Sequence, residues 1–588
     1  MIVRSLVKRG VYFDSVTLMV IQQEVRRHPG IAEAGLVLAT EANRALLQDA
    51  GLLTDEAAAA GADDLVISVK ARSTETATAA LALAEQLLVQ RRPTGTSGEY
   101  RPRTIAAARR LLPEATIAAI SVPGRFAGSV AREALQEGLH VFLFSDNVPL
   151  ETEVALKRTA AERGVLLMGP DCGTALIGGA GLGFANHVRR GSIGIVAAAG
   201  TGLQEVSTLI HRYGGGISHA IGTGGRDLSE AVGGATTLQA LAALAADPST
   251  TVIVLVAKPP HPQVAARMLG AVHQAGKPGV VVFVGGRLES HGRVTGAETL
   301  EDAAIAAVRL ALGQDVAEPA PVTLPGQEAA RLGAAQRFLR GLYSGGTLCA
   351  EAQWVLRPYL GRIASNAPLD PADHVDGLGQ GPGHVVLDLG GDAFTQGRLH
   401  PMIDPTLRLQ RLEREADDPQ VGVILLDVVL GFGAERDPAQ RLVPAIADAR
   451  RRALAAGRYL CVVGSICGTE DDPQDRRAQQ EMLVDAGMLV ESSNARAARL
   501  AGRCLAARGA HRGERGVSAL TVTPVPVEFP VAPGVLQLLL RPPQVINVGL
   551  ELFAESLREQ GVPVVDLDWR PPAGGRKHLL DLLDKLEA

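Results

Sequence analysis

The stretch IGIVAAAGTG (residues 193–202) runs from consecutive apolar residues into a glycine turn, and a helical pattern follows it. Three stretches of the same kind come next: AIGTGGRD (220–227), TVIVLVAKPP (251–260) and GVVVFVGGRLESHG (279–292). Short apolar strands that alternate with helices are typical of a parallel sheet with helices on both faces. Residues 191–315 are therefore predicted to form one flavodoxin-like α/β domain.

The same order of stretches recurs within residues 336–508. The matching stretches are GLYSGGTLCAEA (341–352), HVVLDLGGDAF (384–394), VGVILLDVVLGFG (421–433) and YLCVVGSICGTEDDP (459–473). We interpret the recurrence as an internal duplication of one α/β domain. Two unrelated flavodoxin-like domains would produce a similar pattern.

Three further regions flank this pair. Residues 104–190 also alternate strands and helices, which predicts a Rossmann-type α/β domain. Residues 1–95 predict a small α+β domain with split β-α-β order. The C-terminal residues 534–588 predict a β-α-β-α segment. Because so small a segment buries too little surface to fold well alone, we expect it to pack on another domain or on a partner chain.

Composition excludes several classes of function. The net charge of −5 and the absence of a basic stripe argue against nucleic-acid binding. The five cysteines are odd in number and none has CxxC spacing, so neither a disulfide framework nor a metal site is expected. The N-terminal MIVRSLVKRGVYF is not predicted to be a signal peptide, and no long uncharged apolar run predicts a membrane span. A cytoplasmic location is the expectation.

Four glycine turns are the candidate anion sites. Each is predicted to lie where a strand ends and a helix begins, so that free backbone N–H groups and the positive end of the helix dipole face a ligand. A single turn of this kind is weak support, because glycine also serves purely geometric needs there; four in matched pairs are stronger. The candidate phosphate-binding residues are Gly200, Thr201, Gly202, Gly224, Gly225, Gly346, Thr347, Gly390 and Gly391.

Three charged or titratable residues are candidate catalytic groups. Arg226 and Asp227 follow the second turn, where the arginine could neutralise a phosphate or polarise a carbonyl. His291 follows the last predicted strand of the first copy and could accept a phosphoryl group. A surface charge at a helix start and an exposed loop histidine are the alternatives. Cys172 in GPDCG could be a nucleophile, but no histidine lies nearby in the sequence, and the pattern favours a buried structural cysteine.

The sequence also resembles a known family. SVPGRFAGSVAREALQEGLHVFLFSDNVPLE followed by GPDCG resembles the second half of the CoA-binding domain of the succinyl-CoA synthetase α subunit. The first ligase-like copy resembles the ligase domain of that subunit, and the second copy resembles the C-terminal domain of the β subunit. VKRGVYFDSVTLM, HAIGTGGRDLSEAVGG, HPMIDP and LLDVVLGFGA are similar to FdrA proteins. The tail VINVGLELFAESLREQGVPVVDLDW is similar to a segment of DUF1116 proteins.

The resemblance implies a function. FdrA proteins are implied to be subunits of a carbamoyltransferase that uses carbamoyl phosphate and oxamate or oxalurate in allantoin breakdown, with DUF1116- and DUF2877-type partner proteins in an oligomer. No cofactor is then required. The sequence departs from the synthetase pattern because no ATP-grasp domain is recognisable, Lys258 in AKPP replaces the glutamate that supports a phosphohistidine, and SHG at most represents the catalytic loop.

Two other functions stay open. One is an ADP-forming acyl-CoA ligase, which would use ATP and CoA and carry phosphate on a histidine; the other is a non-catalytic scaffold or sensor for partner enzymes. From the resemblance we expect the glycine turns of the two ligase-like copies to face one shared cleft. From the replacement at Lys258 we expect His291 to be dispensable.

Overall fold

The computed structural model describes the chain except residues 10–12, 14, 40, 62–63, 91–100, 318, 377–382, 396–398, 508–518, 521 and 573–588. The described strands form sheets of three, seven, two, six and five strands. No helix in this described part combines the length and apolar character needed to cross a bilayer. All five cysteines are buried and free.

The N-terminal domain is a small antiparallel sheet with helices on both faces. Its elements are β1 (Ile2–Lys8), α1 (Ser15–Arg26), β2 (Ile31–Leu38), α2 (Glu41–Asp49), α3 (Asp55–Ala58), β3 (Leu65–Ala71) and α4 (Thr74–Gln90). The strand order is β1-β3-β2. Neighbouring residues of the central strand point to opposite faces: Ile67 packs under α1 and α4, and Val66 packs under α2 and α3.

The middle of the chain forms two sheets in succession. Its elements are α5 (Ile105–Leu111), β4 (Ile117–Ile120), α6 (Gly124–Gln136), β5 (His140–Leu143), α7 (Leu150–Glu162), β6 (Leu167–Met168), β7 (Thr174–Ile177), β8 (Ala180–Gly183), β9 (Arg190–Ala198), α8 (Gly200–Arg212), β10 (Ile217–Gly222), α9 (Ala235–Ala246), β11 (Val252–Ala257), α10 (Pro262–Gln274), β12 (Gly279–Phe283), β13 (Arg287–Leu288), β14 (Val294–Ala297) and α11 (Leu300–Leu312). The seven-stranded sheet has the order β14-β12-β11-β9-β10-β7-β8. Strands β7 and β8 thus belong to this sheet, although they precede the predicted boundary at residue 190.

The second ligase-like copy and the tail follow. Their elements are α12 (Pro325–Arg331), β15 (Phe338–Tyr343), α13 (Gly346–Leu360), β16 (Ile363–Ala364), a 3-10 turn (Pro371–Asp373), β17 (His384–Asp388), α14 (Asp392–Thr395), α15 (Thr406–Asp417), β18 (Val421–Val429), α16 (Pro438–Ala455), β19 (Cys461–Cys467), α17 (Arg476–Asp485), β20 (Leu489–Glu491), α18 (Asn494–Ala506), β21 (Ala519–Leu520), α19 (Pro533–Leu540), β22 (Val545–Val548), α20 (Glu551–Glu559) and β23 (Val564–Asp566).

The two ligase-like copies share one topology. In the second copy the parallel sheet has the order β16-β17-β15-β18-β19-β20. Its last five strands correspond in order to β10-β9-β11-β12-β14 of the first copy, and the helix after the central strand is α8 in one copy and α13 in the other. This agreement is what the predicted internal duplication requires. One apolar cluster contains residues of both sheets and of helices α8, α11, α13 and α18, so the copies share a core.

The C-terminal tail completes the Rossmann-type sheet. Its strand β22 pairs in parallel with β4, giving the order β23-β22-β4-β5-β6. The expectation that this segment packs on another domain is confirmed for β22, whereas the last helix of the predicted β-α-β-α segment falls in residues 573–588, outside the described residues. Because β22 lies between β23 and β4, Ile546 is fully buried among apolar residues of α6, β4 and β5.

We expect Ile546→Ala to destabilise the Rossmann-type domain by about 2–5 kcal/mol, because it leaves a cavity in a core that residues 104–168 share with the tail. Hydrogen–deuterium exchange of peptides that contain β4 and β5 should become faster. Leu540→Ala is the matched control, since Leu540 is 48% exposed and its truncation should change little. Faster exchange confined to the tail itself would contradict a shared core.

Candidate functional site

A cavity of about 620 Å³ lies where the carboxyl ends of parallel strands from three sheets meet. Its wall contains the turns after β4, β5, β6 and β22 of the Rossmann-type sheet, after β9 and β10 of the first ligase-like copy, and after β15 and β17 of the second. Ligands of open α/β sheets bind at such ends. The cavity is of a size that fits small-molecule ligands.

Helices α8 and α13 begin side by side at this cavity. The N–H of Thr347 donates to Oγ1 of Thr201 at 3.3 Å. A Cβ atom on Gly345 would lie 2.9 Å from the Thr201 side chain, and one on Gly202 would lie 2.9 Å from Cγ2 of Thr347. Glycine at both positions therefore allows the two helix starts to touch. Both Gly200 and Gly346 line the cavity, so the predicted shared cleft is confirmed.

The cavity collects nearly all of the predicted anion-binding residues. Gly202 is the exception, since it lies in the contact between the helices. The residues that precede α8 and α13, Ala199 and Gly345, provide no side-chain cap, so first-turn N–H groups other than that of Thr347 remain for a ligand. The predicted residues that line the cavity are Gly200, Thr201, Gly224, Gly225, Gly346, Thr347, Gly390 and Gly391.

The two helix starts differ in the carboxylates beside them. Asp427 is fully buried and accepts the N–H groups of Ser344 and Gly345 at 2.8–3.1 Å, while Arg408 pairs with it at 2.8 Å. Next to α13, Oδ2 of Asp388 would lie 2.6 Å from a Cβ atom on Gly346. Asp427 lies in the strand beside the residue three positions before Gly346, the first residue of α13. At the same position in the first copy, Val256 pairs with Ala197, which lies three residues before Gly200, the first residue of α8. The first copy therefore has an apolar residue where the second has Asp427. At this position of the neighbouring strand, the start of α13 has a buried carboxylate and the start of α8 has none.

The predicted catalytic residues Arg226 and Asp227 are not in the cavity wall. Asp227 is completely buried and pairs with Lys157 of α7 at 2.6 Å. It also accepts N–H groups of Thr236 and Thr237 at the start of α9. Arg226 pairs with Glu153 of α7 at 2.9 Å. These contacts join two domains, which gives both residues a structural role that a local sequence pattern cannot reveal.

His291 and Cys172 also differ from a catalytic arrangement. His291 lies in the bridge between β13 and β14, exposed and outside the cavity wall, with its ring centroid 6.2 Å from that of His273. Cys172 does line the cavity, but burial raises the pKa of its thiol to about 12. A thiol with such a pKa is not a nucleophile at neutral pH.

His400 is a cavity residue that the sequence reasoning did not single out. Its Nδ1 accepts the N–H of Met402 at 3.2 Å, so the proton of the neutral ring is on Nε2. Burial lowers the pKa of the imidazole to about 4. Nε2 faces the β17 turn, 2.6 Å from the Cβ position of Gly390. The only sequence signal for it was the FdrA-like stretch HPMIDP.

Lys258 supplies a cation to the same wall. Its ammonium group has no carboxylate within ion-pair distance in the described part of the chain, and its side chain is exposed to the cavity opening. Three carboxylates, Asp146, Asp171 and Asp388, also line the wall, and Oδ2 of Asp171 lies 3.3 Å from the Cβ position of Gly225 in the turn after β10. The site can therefore hold an anion near α8 and present both a neutral N–H donor and carboxylates to it.

Family profiles match three parts of the chain. The profile described as AllF, heavy metal-associated domain, matches residues 1–103; the CoA binding domain matches residues 188–286; and CoA-ligase matches residues 342–504. The CoA-binding match therefore lies on the seven-stranded sheet, one domain later than the region 104–190 that resembled a CoA-binding domain. Residues 1–103 contain no cysteine, and the described residues hold no cluster of three potential metal ligands.

Individual proteins match as well. The Escherichia coli K12 protein named Uncharacterized protein YahF is 43% identical over 84% of this chain and 97% of its own length. The ADP-forming sulfoacetate-CoA ligase subunit SauD of Bilophila wadsworthia is 28% identical over 31% of this chain and 63% of its length. A dinucleotide-forming acetyl-coenzyme A synthetase from Ca. Korarchaeum cryptofilum, solved with phosphate and ADP, aligns with 16% identity and a TM-score of 0.24 over 67% of this chain and 84% of its own.

The lowered pKa of His400 has a measurable consequence. Because the folded protein binds fewer protons than the unfolded chain between pH 4 and 6.5, this group makes the free energy of unfolding fall as the pH drops through that window. In the folded protein we expect the His400 ring to stay neutral from pH 8 to 5.5. NMR titration of ¹⁵N-histidine-labelled protein measures this, with His400→Gln to assign the signal. A midpoint above pH 6 would contradict the burial.

Proposed function

The chain belongs to the FdrA family, and on that premise we propose that it is the subunit of a carbamoyltransferase complex that holds carbamoyl phosphate. The reaction would move a carbamoyl group between carbamoyl phosphate and oxamate, with oxalurate and phosphate on the other side. The observation that supports this best is the cavity at α8, where uncapped N–H groups, Lys258 and the neutral Nε2–H of His400 face one space.

The phosphate of the donor would bind at α8 and at the turn after β10. Anions are stabilised at a helix N-terminus by about 0.3–1 kcal/mol each, and by more when partly buried. At α13 the carboxylate of Asp388 lies beside Gly346, so an added anion at this helix start would be repelled. Lys258 adds a positive charge to the same cavity wall.

The carbamoyl carbonyl would accept the Nε2–H of His400. A donor aimed at the oxygen that gains negative charge during transfer lowers the barrier, and removal of one such donor typically costs on the order of 10²–10³ in rate. In the transfer, the lone pair of the oxamate nitrogen forms a bond to the carbonyl carbon, and the bond from that carbon to the phosphate oxygen breaks. Phosphate leaves with the electron pair, and the nitrogen proton passes to a carboxylate, for which Asp388 is our candidate.

The acceptor would lie on the Rossmann-type side of the cavity. Strand order reverses between β22 and β4, which is the position where doubly wound sheets bind ligands. The turns after these strands, at Ser121–Pro123 and Gly549–Leu550, line the cavity, and both following helices, α6 and α20, lack a side-chain cap. The oxamate carboxylate would bind there, close to the carbamoyl group.

An acyl-CoA ligase is the second candidate, because the matched profiles are CoA-binding and CoA-ligase domains. Three observations weigh against it. His291 is outside the cavity, Lys258 occupies the position of the supporting glutamate, and Nδ1 of His400 accepts an N–H, which leaves Nε2 protonated and unable to attack phosphorus. Neither turn at the β22–β4 switch point has the three-glycine fingerprint of a pyrophosphate site. CoA and ATP are therefore required only under this alternative.

Partner proteins belong to the proposal. DUF1116- and DUF2877-type proteins would complete the enzyme, and the complex would be an oligomer without a cofactor. If the chain were only a scaffold or sensor, the complex would tolerate the loss of every glycine turn. Co-expression with partners of these two types, followed by an assay of carbamoyl phosphate with oxamate, tests the proposal directly; activity that requires ATP and CoA instead would overturn it.

In the assembled complex, Gly225→Val should raise the KM for carbamoyl phosphate at least tenfold or remove activity, because the new side chain would enter the phosphate site. Gly225 has no left-handed φ and its nearest Cβ contact is Oδ2 of Asp171 at 3.3 Å, so the domain should fold. Gly326→Val is the matched control, since nothing lies within 4 Å of its Cβ position. Thr201→Val should have the milder effect of one hydrogen bond, about 0.5–1.5 kcal/mol.

Normal kinetics of carbamoyl phosphate in a folded Gly225→Val complex would move the phosphate site to the second copy, at Gly390 and Gly391.

His291→Ala should leave activity unchanged, whereas His400→Phe should lower kcat by on the order of 10²–10³ through loss of the N–H donor. The two variants form a matched pair, one histidine outside the cavity wall and one within it. Incubation with ATP or acetyl phosphate should leave no acid-labile phosphate on the protein. Labelling that either variant abolishes would instead support the ligase.

A further inference from the structure

Gln204 carries an unused hydrogen-bond acceptor at the cavity. It lies one turn into α8, lines the cavity wall and is only 1% exposed. Its Oε1 receives no hydrogen bond from any residue that the structure describes. A buried amide oxygen without a donor has lost its hydrogen bonds to water without compensation, so a bound group that supplies a donor would be favoured there.

A series of hydrogen bonds fixes the orientation of the Gln204 side-chain amide and leaves its Oε1 atom without a partner among the described residues. The carboxylate of Asp472 accepts Nδ2 of Asn186 at 2.8 Å, and the carbonyl of Leu430 accepts the same nitrogen at 2.9 Å. Oδ1 of Asn186 must therefore face Gln204, and it accepts Nε2 of Gln204 at 3.1 Å. A carboxylate can only accept in this arrangement, so the amide of Gln204 cannot flip without losing these bonds.

We propose that Oε1 of Gln204 accepts an N–H of the ligand's carbamoyl amino group and so selects carbamoyl phosphate over acyl phosphates. This inference rests on the proposed function and deepens it, because it names a specificity-determining residue in the same cavity. The carbonyl oxygen and the amino group of a carbamoyl unit are an acceptor and a donor on one planar carbon. His400 presents a donor from the second ligase-like copy, and Gln204 presents an acceptor from the first.

The methyl group of an acetyl donor would occupy the same position without satisfying Oε1. Sites built to receive a substrate N–H or O–H reject analogues that lack it far more strongly than apolar pockets reject an extra methylene. Oε1 of Gln204 would therefore favour a carbamoyl donor over an acyl donor, although the phosphate of both would bind in the same way.

The test uses two stable probes that differ only at this position. Phosphonoacetamide carries an amino group on its carbonyl carbon, and 2-oxopropylphosphonate carries a methyl group there. Calorimetric titration of the full-length protein should give a Kd for the amide on the order of tenfold lower than for the ketone. Gln204→Met, which keeps the side-chain length without the acceptor, should bind both probes equally. Gln440→Met, at an exposed helical position, should keep the preference.

The outcomes separate the inference from the proposed function. Equal binding of both probes to the wild-type protein would overturn the role of Gln204, assign its Oε1 to a buried water and leave the phosphate site intact. Binding of neither probe would overturn the phosphate site and the inference together. Because the wild-type ratio alone decides the preference, the inference is testable even if Gln204→Met fails to fold. A preference that survives in folded Gln204→Met protein would place the selecting acceptor elsewhere.

Discussion

The contact between the first turns of α8 and α13 is the constraint on which the site depends. Two helix N-termini carry partial positive charges and repel each other when they lie side by side. Glycine at positions 202 and 345 lets them approach until the Thr347 N–H reaches Oγ1 of Thr201. The shared apolar core of α8, α11, α13 and α18 holds them in place. The positive potential that remains at their ends is what makes the cavity suitable for an anion.

The duplicated topology brings equivalent residues together, and differences between the copies then decide what each does. Glu205 and Glu351 each lie five residues after the first glycine of their helix, and Asn494 donates to both. Burial, with the neighbouring Glu205, raises the pKa of Glu351 to about 8, so this pair bears less charge than two ordinary carboxylates. At the strand beside each helix start the copies differ, with Asp427 in one and Val256 in the other. The residues that the two copies share support the packing of the helices, whereas the difference between Asp427 and Val256 leaves the start of α8 without a neighbouring strand carboxylate.

Local patterns predicted most of the strands and glycine turns, because apolar runs, glycines and helical periodicity are visible within a few residues. The resemblance predicted the shared cleft. The pairing of β22 with β4 joins residues more than 400 positions apart, and no local signal specifies that neighbour. For the same reason Arg226 and Asp227 looked like site residues, since their partners on α7 are about seventy positions away. His400 was missed because a single histidine shows neither its burial nor the Met402 N–H that fixes its tautomer.

The buried charges at Asp227 connect the two halves of the cavity. Lys157 and Glu153 come from the Rossmann-type domain, and Arg226 and Asp227 follow directly on the turn that holds Gly224 and Gly225. A Cβ atom on Gly224 would lie 2.2 Å from the carbonyl oxygen of Pro170, so this turn is pressed against the loop after β6. Since removal of one partner of a buried pair typically costs about 3–5 kcal/mol, the pair resists separation of the domains. The turn proposed to bind phosphate and the proposed acceptor side are therefore held at a fixed separation, which transfer between two bound substrates would require.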